Sequence, residues 1–470
     1  MSLAQATLVF VVVAPGAVFG LLALLWLLGW TPSERLLSGI TGLTFTGCTL
    51  GVAALAWRSL AGPHRGVPVA IALGNWFTVG TYHFPLVLMV DRLSLPLLAL
   101  AAVLSGLIGQ FSATYLHRER GFLRFFLLLH LFAFGALLIF AAGSFDLMAA
   151  GWEFVGITSV LLIGFFHLRP GPVENGLWTF GVYRACDIGL LVGIFALHHW
   201  TGNASLAAGA PRLTGAEATV VGLLFLFAAS GKAAQVPFSG WLPRAMEGPT
   251  PSSAIFYGAI SIHAGAYLLL RAQPLLARSP LASWLVILVG LTTAVHGELV
   301  GRASADAKTS LAYATLTQVG IIFVEIGLGW TWIAVLHILG NATVRTLQFL
   351  RSPSMLHDYH RMHAAMGTAE EPSRAHAARG GSLEMPRAER ASPAANRSPP
   401  SSDQRERPRE KWRATLLPPA GASQWLYRWA FDRGHLDTIL DRWAVDPLLR
   451  VARLLARMDD AGAPPPRSNA

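Results

Sequence analysis

The sequence predicts an all-α, polytopic transmembrane helical bundle, and three observations carry the prediction. Hydrophobic residues make up 53% of the 470-residue chain and charged residues only 13%, a balance foreign to a soluble globular domain. Apolar runs long enough to cross the bilayer, about 20 residues for roughly 30 Å of hydrocarbon, recur before residue 351. The few charges inside those runs, Glu153 and Lys232 foremost, are the kind a membrane keeps only for a purpose, since each costs about 2.5 to 3.5 kcal/mol near the bilayer centre.

Taken in order, eleven spans are expected, at about residues 6–30, 37–57, 93–116, 122–142, 145–167, 177–199, 217–236, 251–271, 281–301, 309–328 and 331–350. Residues 1–60 hold the N-terminal transmembrane helices; the first run is too long, and too well followed by others, to read as a cleaved signal peptide. Residues 61–91, "AGPHRGVPVAIALGNWFTVGTYHFPLVLMVD", are interrupted by Pro, Gly and polar residues around strand-like text, which predicts an extramembrane hairpin loop. Residues 92–350 form the transmembrane core. Residues 351–423 turn to Ser, Pro, Arg, Glu and Ala, too polar to bury a core, and read as a disordered, basic cytoplasmic linker. In 424–470, Trp425, Leu426, Trp429 and Ala430, then Leu448, Val451, Leu454 and Leu455, recur at helical intervals, as amphipathic helices lying on a membrane or a partner require.

With eleven spans, Arg35, Arg118, Arg120, Arg124, Arg169, Arg244, Arg302 and Lys308 fall on the tail side. Arg58, Arg65, Arg212, Arg271 and Arg278 fall on the other, so the imbalance predicts a cytoplasmic C-terminus. The net charge of +10 belongs largely to the tail and points to anionic headgroups or a neighbouring subunit, not to nucleic acid. Cys48 and Cys186 sit in apolar runs, read as packing residues, and exclude a Cys-ligated iron–sulfur cluster. No P-loop, dinucleotide fingerprint or paired metal-ligand motif is present, so no cofactor, metal, redox centre or catalytic residue is expected.

Glu153 and Lys232 read as an opposed pair. Pro237, Pro243, Pro249 and Pro251 follow the lysine, so its helix is expected to stop or unwind just beyond it. A carboxylate that moves relative to a desolvated lysine changes its proton affinity, which makes a proton switch; a static ion pair locking two helices is the alternative. Arg184 and Asp187, three apart on one helix face, either neutralise each other or tune that pair. His337, Asn341 and Arg345 draw a polar stripe at i, i+4, i+8; His337 is able to exchange protons near neutral pH, whereas Arg345 supplies only fixed charge. Lys308, Glu298 and His296 cluster at a helix junction, where snorkelling to the interface competes with a functional role. His130 and His263 read as isolated packing residues, and Glu325, near a span end, is expected to reach water.

The ordered segments "MVDRLSLPLL", "LMAAGWEFVGITSVLLIGFF", "TFGVYRACDIGLL", "SGKAAQVPFSGWLPRAMEGPTPSSA", "HAGAYLLLR" and "DAKTSLAYATLTQVGIIF" resemble the antiporter-like, proton-conducting membrane subunits of respiratory complex I, especially the largest. The family also serves Mrp-type cation/proton antiporters, membrane hydrogenases and DAB-type inorganic-carbon uptake systems. The resemblance implies two inverted repeats of five helices. It implies Glu153 as the mid-membrane glutamate, Lys232 as its partner on a discontinuous helix, Asp187 as the acidic modulator with Arg184 beside it, and His337 on a buried proton-carrying row. Lys308 and Arg345 complete the expected pathway. Several positions depart from the family pattern: Tyr257 stands for a histidine, Asn341 for a second histidine and Arg345 for a lysine, and the second repeat reads as shortened after residue 350.

The expected function is that of a proton-translocating membrane subunit of a complex I-like NADH:quinone oxidoreductase or related proton-coupled complex, in a bacterial inner membrane beside other subunits. The alternatives are the membrane subunit of a DAB-type uptake complex, an Mrp-type antiporter subunit, or a non-conducting structural subunit.

Overall fold

The computed structural model describes residues 1–61, 65–80, 82–206, 213–352 and 420–436, with residues 442, 447, 450, 451 and 454. Eleven helices in it are long and apolar enough to cross a membrane. They are built from α1 (Leu3–Leu27), α2 (Glu34–Leu60), α3 (Ser94–Tyr115), α4 (Phe122–Ala141), α5 (Phe145–Ile163, continued by a 3-10 turn Gly164–Phe166), α6 (Pro170–Thr201) and α7 (Gly215–Lys232). The short α8 (Trp241–Arg244) and α9 (Thr250–Ser252) lead through a π-helical turn (Ser253–Tyr257) into α10 (Ile260–Arg271). A short α11 (Gln273–Leu276), then α12 (Pro280–Ala303), α13 (Ala307–Gly327) and α14 (Thr331–Arg351), complete the bundle, and α15 (Ala420–Phe431) follows later.

Helix starts are written locally. Ser2 with Gln5 and Thr214 with Glu217 make capping boxes, while Ser33, Ser144, Ser279 and Asp306 each accept a first-turn amide, satisfying donors that lipid would leave bare. The window in Thr250–Arg271 is 100% buried, against 28% for α1 and 33% for α12, so the interrupted helix is the centre of the bundle. The outer helices turn Leu21, Leu24, Ile188, Leu191, Phe195, Leu288 and Leu291 outward, the arrangement expected where lipid is the solvent.

Successive spans alternate in direction, so the α2–α3 connection and the α13–α14 turn lie on one side and the end of α14 on the other. The first side carries the expected hairpin, β1 (Val69–Val79) antiparallel to β2 (Tyr82–Val90), in register from Val69 opposite Val90 to Val79 opposite Tyr82 with irregularities around Asn75. The hairpin is fastened to the bundle by the Gly143 amide donating to the Val87 carbonyl at 2.8 Å and by an Asp91–Arg271 ion pair.

Two compact units are present, residues 1–352 with 429–470, and residues 353–428. The linker expected over 351–423 lies almost wholly outside the described residues. So do Leu448 and Leu455 of the expected amphipathic tail. Trp425, Tyr427 and Phe431 of α15 are exposed.

Candidate functional site

The first five residues of the site come from α5 and α6. Trp152 and Glu153 are on α5, and Tyr183, Arg184 and Asp187 on α6; Lys232 is the last residue of α7. Small residues set the approach. A Cβ on Gly231 would collide with the Cys186 side chain, and one on Gly156 would meet Lys232 Nζ at 3.0 Å. Beyond Lys232 the helix stops as expected: Ala234 takes a positive φ of 54°, the Gln235 side chain donates to the Ala233 carbonyl at 2.8 Å, and the Trp241 indole donates to the Gly231 carbonyl at 2.8 Å.

Lys232 is 1% exposed. Its ammonium donates to the Trp152 carbonyl at 3.1 Å and lies 4.8 Å and 4.6 Å from the ring centres of Trp152 and Tyr183. The Trp152 carbonyl of α5 and two aromatic faces thus supply partial negative charge to a group with almost no access to water.

The acid expected to pair directly with it does not. Glu153 Oε2 lies 2.5 Å from Arg184 Nη1, and Arg184 Nη2 lies 2.7 Å from Asp187 Oδ2. The other Asp187 oxygen accepts from the Trp152 indole at 2.6 Å. Among the described residues the ion pairs of this region are these two, and both belong to Arg184. Consecutive residues on an α-helix point about 100° apart, so with Trp152 facing Lys232, Glu153 is turned toward the flank of the bundle. There a planar guanidinium bridges it to Asp187, which a lysine's single point of charge does less well. Asp187 is 3% exposed, whereas the Glu153 and Arg184 side chains are 40% and 35% exposed on the bundle's lateral face. The expected mutual neutralisation of Arg184 and Asp187 is present, extended to a third charge.

A second polar group lies between α10, α13 and α14. His263, expected to be isolated, is buried, bonds through Nδ1 to the Ala259 carbonyl and meets Asn341 Nδ2 through Nε2 at 3.1 Å. His337 Nε2 meets Gln318 Oε1 at 2.9 Å, and its Nδ1 meets Glu325 Oε1, also at 2.9 Å. Glu325 therefore does not reach water: its side chain is 12% exposed and turned into the α13–α14 seam. The sequence held a usable signal, because reflecting His337 about Gly329 of the α13–α14 turn gives position 321, and Gln318 and Glu325 flank 321 at i−3 and i+4 on one helix face.

Arg345 is fixed by the Gln348 side chain at 2.7 Å and the Ala314 carbonyl at 3.1 Å. Lys308 stands partly buried in the first turn of α13, in the field of Asp306 and Glu247. Glu298 pairs with exposed Arg302 at 2.6 Å, the surface arrangement, while His296 meets Ser239 at 3.3 Å. His130 is a buried packing residue, stacked on Phe45 and bonded to the Phe126 carbonyl at 2.8 Å. Tyr257 donates to the Ser159 carbonyl at 3.2 Å, at the α5 face toward the bundle centre. Asp91, outside the spans, is partly buried, which works to raise its carboxyl; the Arg271 hydrogen bonds and charge, with the Ser94 bonds, outweigh this and hold it below its ordinary value. Among the described residues no group of three or more His, Cys, Asp or Glu side chains is placed to hold a metal ion.

A family profile described as "NADH:quinone oxidoreductase/Mrp antiporter, TM" matches residues 142–369, and one described as "NADH-Ubiquinone oxidoreductase (complex I), chain 5 N-terminus" matches residues 76–126. The chain is 34% identical over 325 residues to NADH-ubiquinone oxidoreductase chain 5 of Cryptococcus neoformans, covering 68% of this chain and 49% of that one. It is 36% identical over 291 residues to NADH-quinone oxidoreductase subunit L of Mycobacterium tuberculosis, covering 61% and 46%. Among solved structures, the Mrp complex from Dietzia sp. DQ12-45-1b superposes with a TM-score of 0.62 at 28% identity, over 72% of this chain and 37% of that one. The chain thus spans about half the length of the relatives it matches.

Proposed function

Because the chain belongs to the antiporter-like membrane-subunit family shared by NADH:quinone oxidoreductases and Mrp antiporters, we propose that it is a proton-translocating subunit of a complex I-like or related proton-coupled membrane complex, and that Lys232 is the group that takes up and releases the proton. One observation carries the reading: a buried lysine stands at the broken end of α7 beside a three-charge network, Glu153–Arg184–Asp187. Asp187 and Glu153 are the charges that attract the Lys232 ammonium, and Arg184 is the one that repels it. Arg184 keeps its proton under all physiological conditions. Its position, not its charge state, is the variable: drawn outward to Glu153 it leaves Asp187 to hold the ammonium, and drawn inward it screens Asp187 and favours release.

Glu153 and Arg184 are the outward members of this network. Charges that half-exposed are costly against hydrocarbon, so another subunit of the complex covers that flank in this reading. The tail side is assigned to the cytoplasm and the protein to a bacterial inner membrane, on the loop-charge imbalance and the likeness to the mycobacterial subunit.

Arg345 favours a second reading, a subunit that holds the complex together without conducting, because a guanidinium fixed by Gln348 and the Ala314 carbonyl does not release a proton. Proton movement into inverted vesicles holding the assembled complex separates the two. Conduction predicts that Glu153→Gln and Lys232→Met assemble normally and lose flux; unchanged flux in both rejects it.

A further inference from the structure

The α13–α14 seam holds a carboxylate that the switch around Lys232 does not use. Glu325 lies two residues before the end of α13 and His337 in the second turn of α14, so both belong to the half of the bundle on the hairpin side, opposite the end of α14. Glu325 Oε1 is 2.9 Å from His337 Nδ1, the side chains are 12% and 22% exposed, and Glu325 Oε2 is buried with no hydrogen-bond partner among the described residues. A carboxylate with one oxygen on an imidazole and the other unbonded in a nearly dry seam is poorly served as an anion unless it is able to take a proton.

We infer that Glu325 and His337 form a single proton-holding site on the hairpin-side half of the bundle, through which a proton leaves or enters the α13–α14 seam. The step balances within the pair. A proton arriving at His337 makes the imidazolium, with Nε2–H donating to Gln318 Oε1 and Nδ1–H to Glu325. Transfer then breaks the Nδ1–H bond and forms the Glu325 O–H bond, turning imidazolium and carboxylate into neutral imidazole and neutral acid. Gln318 serves both states without moving, because Nε2 keeps its proton throughout and donates to the Gln318 amide oxygen before and after the transfer.

The groups facing the pair are few. α13 brings Gln318, α10 brings His263, which is bonded to Asn341 one turn from His337 and feels its charge, and α14 brings the fixed charge of Arg345 two turns away. α3, α9 and the π-helical turn pack on α14 and bring no acid or base except Tyr115 and Tyr257, while α12 and α8, packed on α13, bring His296, Glu298, Arg302 and Arg244 on the side where α13 begins, away from Glu325. Since Arg345 does not release a proton, Glu325 and His337 are the exchanging groups of α13 and α14 on this side. The inference rests on the proposed proton translocation for its purpose, but the site itself is testable without it.

Infrared difference spectra of the purified full chain in detergent, taken between acid and alkaline pH, read proton binding directly. The expected result is a protonated-carboxyl band that is lost in Glu325→Gln and displaced in pH midpoint in His337→Gln, with Glu325→Asp restoring the band. If Glu325→Gln does not fold, the His337→Gln spectrum decides alone. A spectrum unchanged in Glu325→Gln, or a carboxyl midpoint unmoved in His337→Gln, overturns the inference. Flux in vesicles holding the Lys232→Met complex, set beside these spectra, separates the two ideas. Flux lost in Lys232→Met with the spectra unchanged in Glu325→Gln rejects this site and keeps the proposed function, whereas the reverse pattern keeps the site and rejects the function.

Discussion

Replacing Asp187 by asparagine and Glu153 by glutamine removes one charge each from the same network, yet the two changes differ in what they leave behind. In Asp187→Asn the amide oxygen still accepts from the Trp152 indole, but an N–H group is turned toward Arg184, so the 2.7 Å charge-assisted bond is lost at 3% exposure. Such a bond contributes about 1.5 to 3 kcal/mol. Arg184 keeps Glu153 at 2.5 Å, which holds the loss below the about 3 to 5 kcal/mol of a buried pair stripped of one member. We expect about 2 to 3 kcal/mol. Glu153→Gln leaves Arg184 bound to Asp187 and keeps an amide oxygen to accept from its guanidinium, so the loss is expected to be smaller than for Asp187→Asn. Thermal unfolding of the purified full chain in detergent reads the difference, using a thiol-reactive fluorophore that labels Cys48 and Cys186, both free and buried, only as the fold opens. If Glu153→Gln destabilises as much as Asp187→Asn, Glu153 is holding up Lys232 directly and the bridging role of Arg184 is wrong.

Gly156→Ala is expected to leave the melting temperature nearly unchanged, because the one tight contact of the Cβ is the movable tip of Lys232 at 3.0 Å, with Arg184 and Tyr183 at ordinary contact distance, while proton flux falls as that tip is displaced. Gly231→Ala forces a methyl into the Cys186 side chain and should cost about 1 to 3 kcal/mol; adding Cys186→Gly removes the obstacle, and the double variant should melt above the single one. The Asp91–Arg271 clamp carries a pH dependence. The folded carboxyl lies below its ordinary value of 3.8, so its contribution is complete above that value and is lost as pH falls below it. Asp91→Asn should therefore be less stable than the parent at neutral pH, with the gap closing between about pH 4 and pH 2 in an acid-unfolding series.

Much of this architecture was legible. Apolar run length gave all eleven spans, the Pro, Gly and polar residues around the strand-like "NWFTVGTYHF" gave the hairpin, and the proline series gave the break after Lys232. The contacts between helices were less so, because a run of apolar residues sets a helix's existence and not its rotation about its own axis. That rotation is fixed by close approaches such as Gly231 against Cys186 and Gly156 against Lys232, and it turns Trp152 rather than Glu153 toward the lysine. Glu325 was misplaced for a related reason. Its nearness to a span end suggested water, but the tight α13–α14 turn folds His337 back over it. The resemblance supplied the site's membership, and the structure supplied who touches whom.

The central claim is that Lys232 gives up its proton in use, and Lys232→Arg tests it most directly. Arginine keeps the fixed positive charge but does not release a proton at physiological pH. In vesicles containing the assembled complex, with folding checked by cysteine labelling and Lys232→Met as the uncharged control, the account predicts that both variants assemble and that neither moves protons above the rate of protein-free vesicles. Parental flux in a folded Lys232→Arg complex would mean that the charge alone is needed, and that the lysine holds helices together without carrying protons.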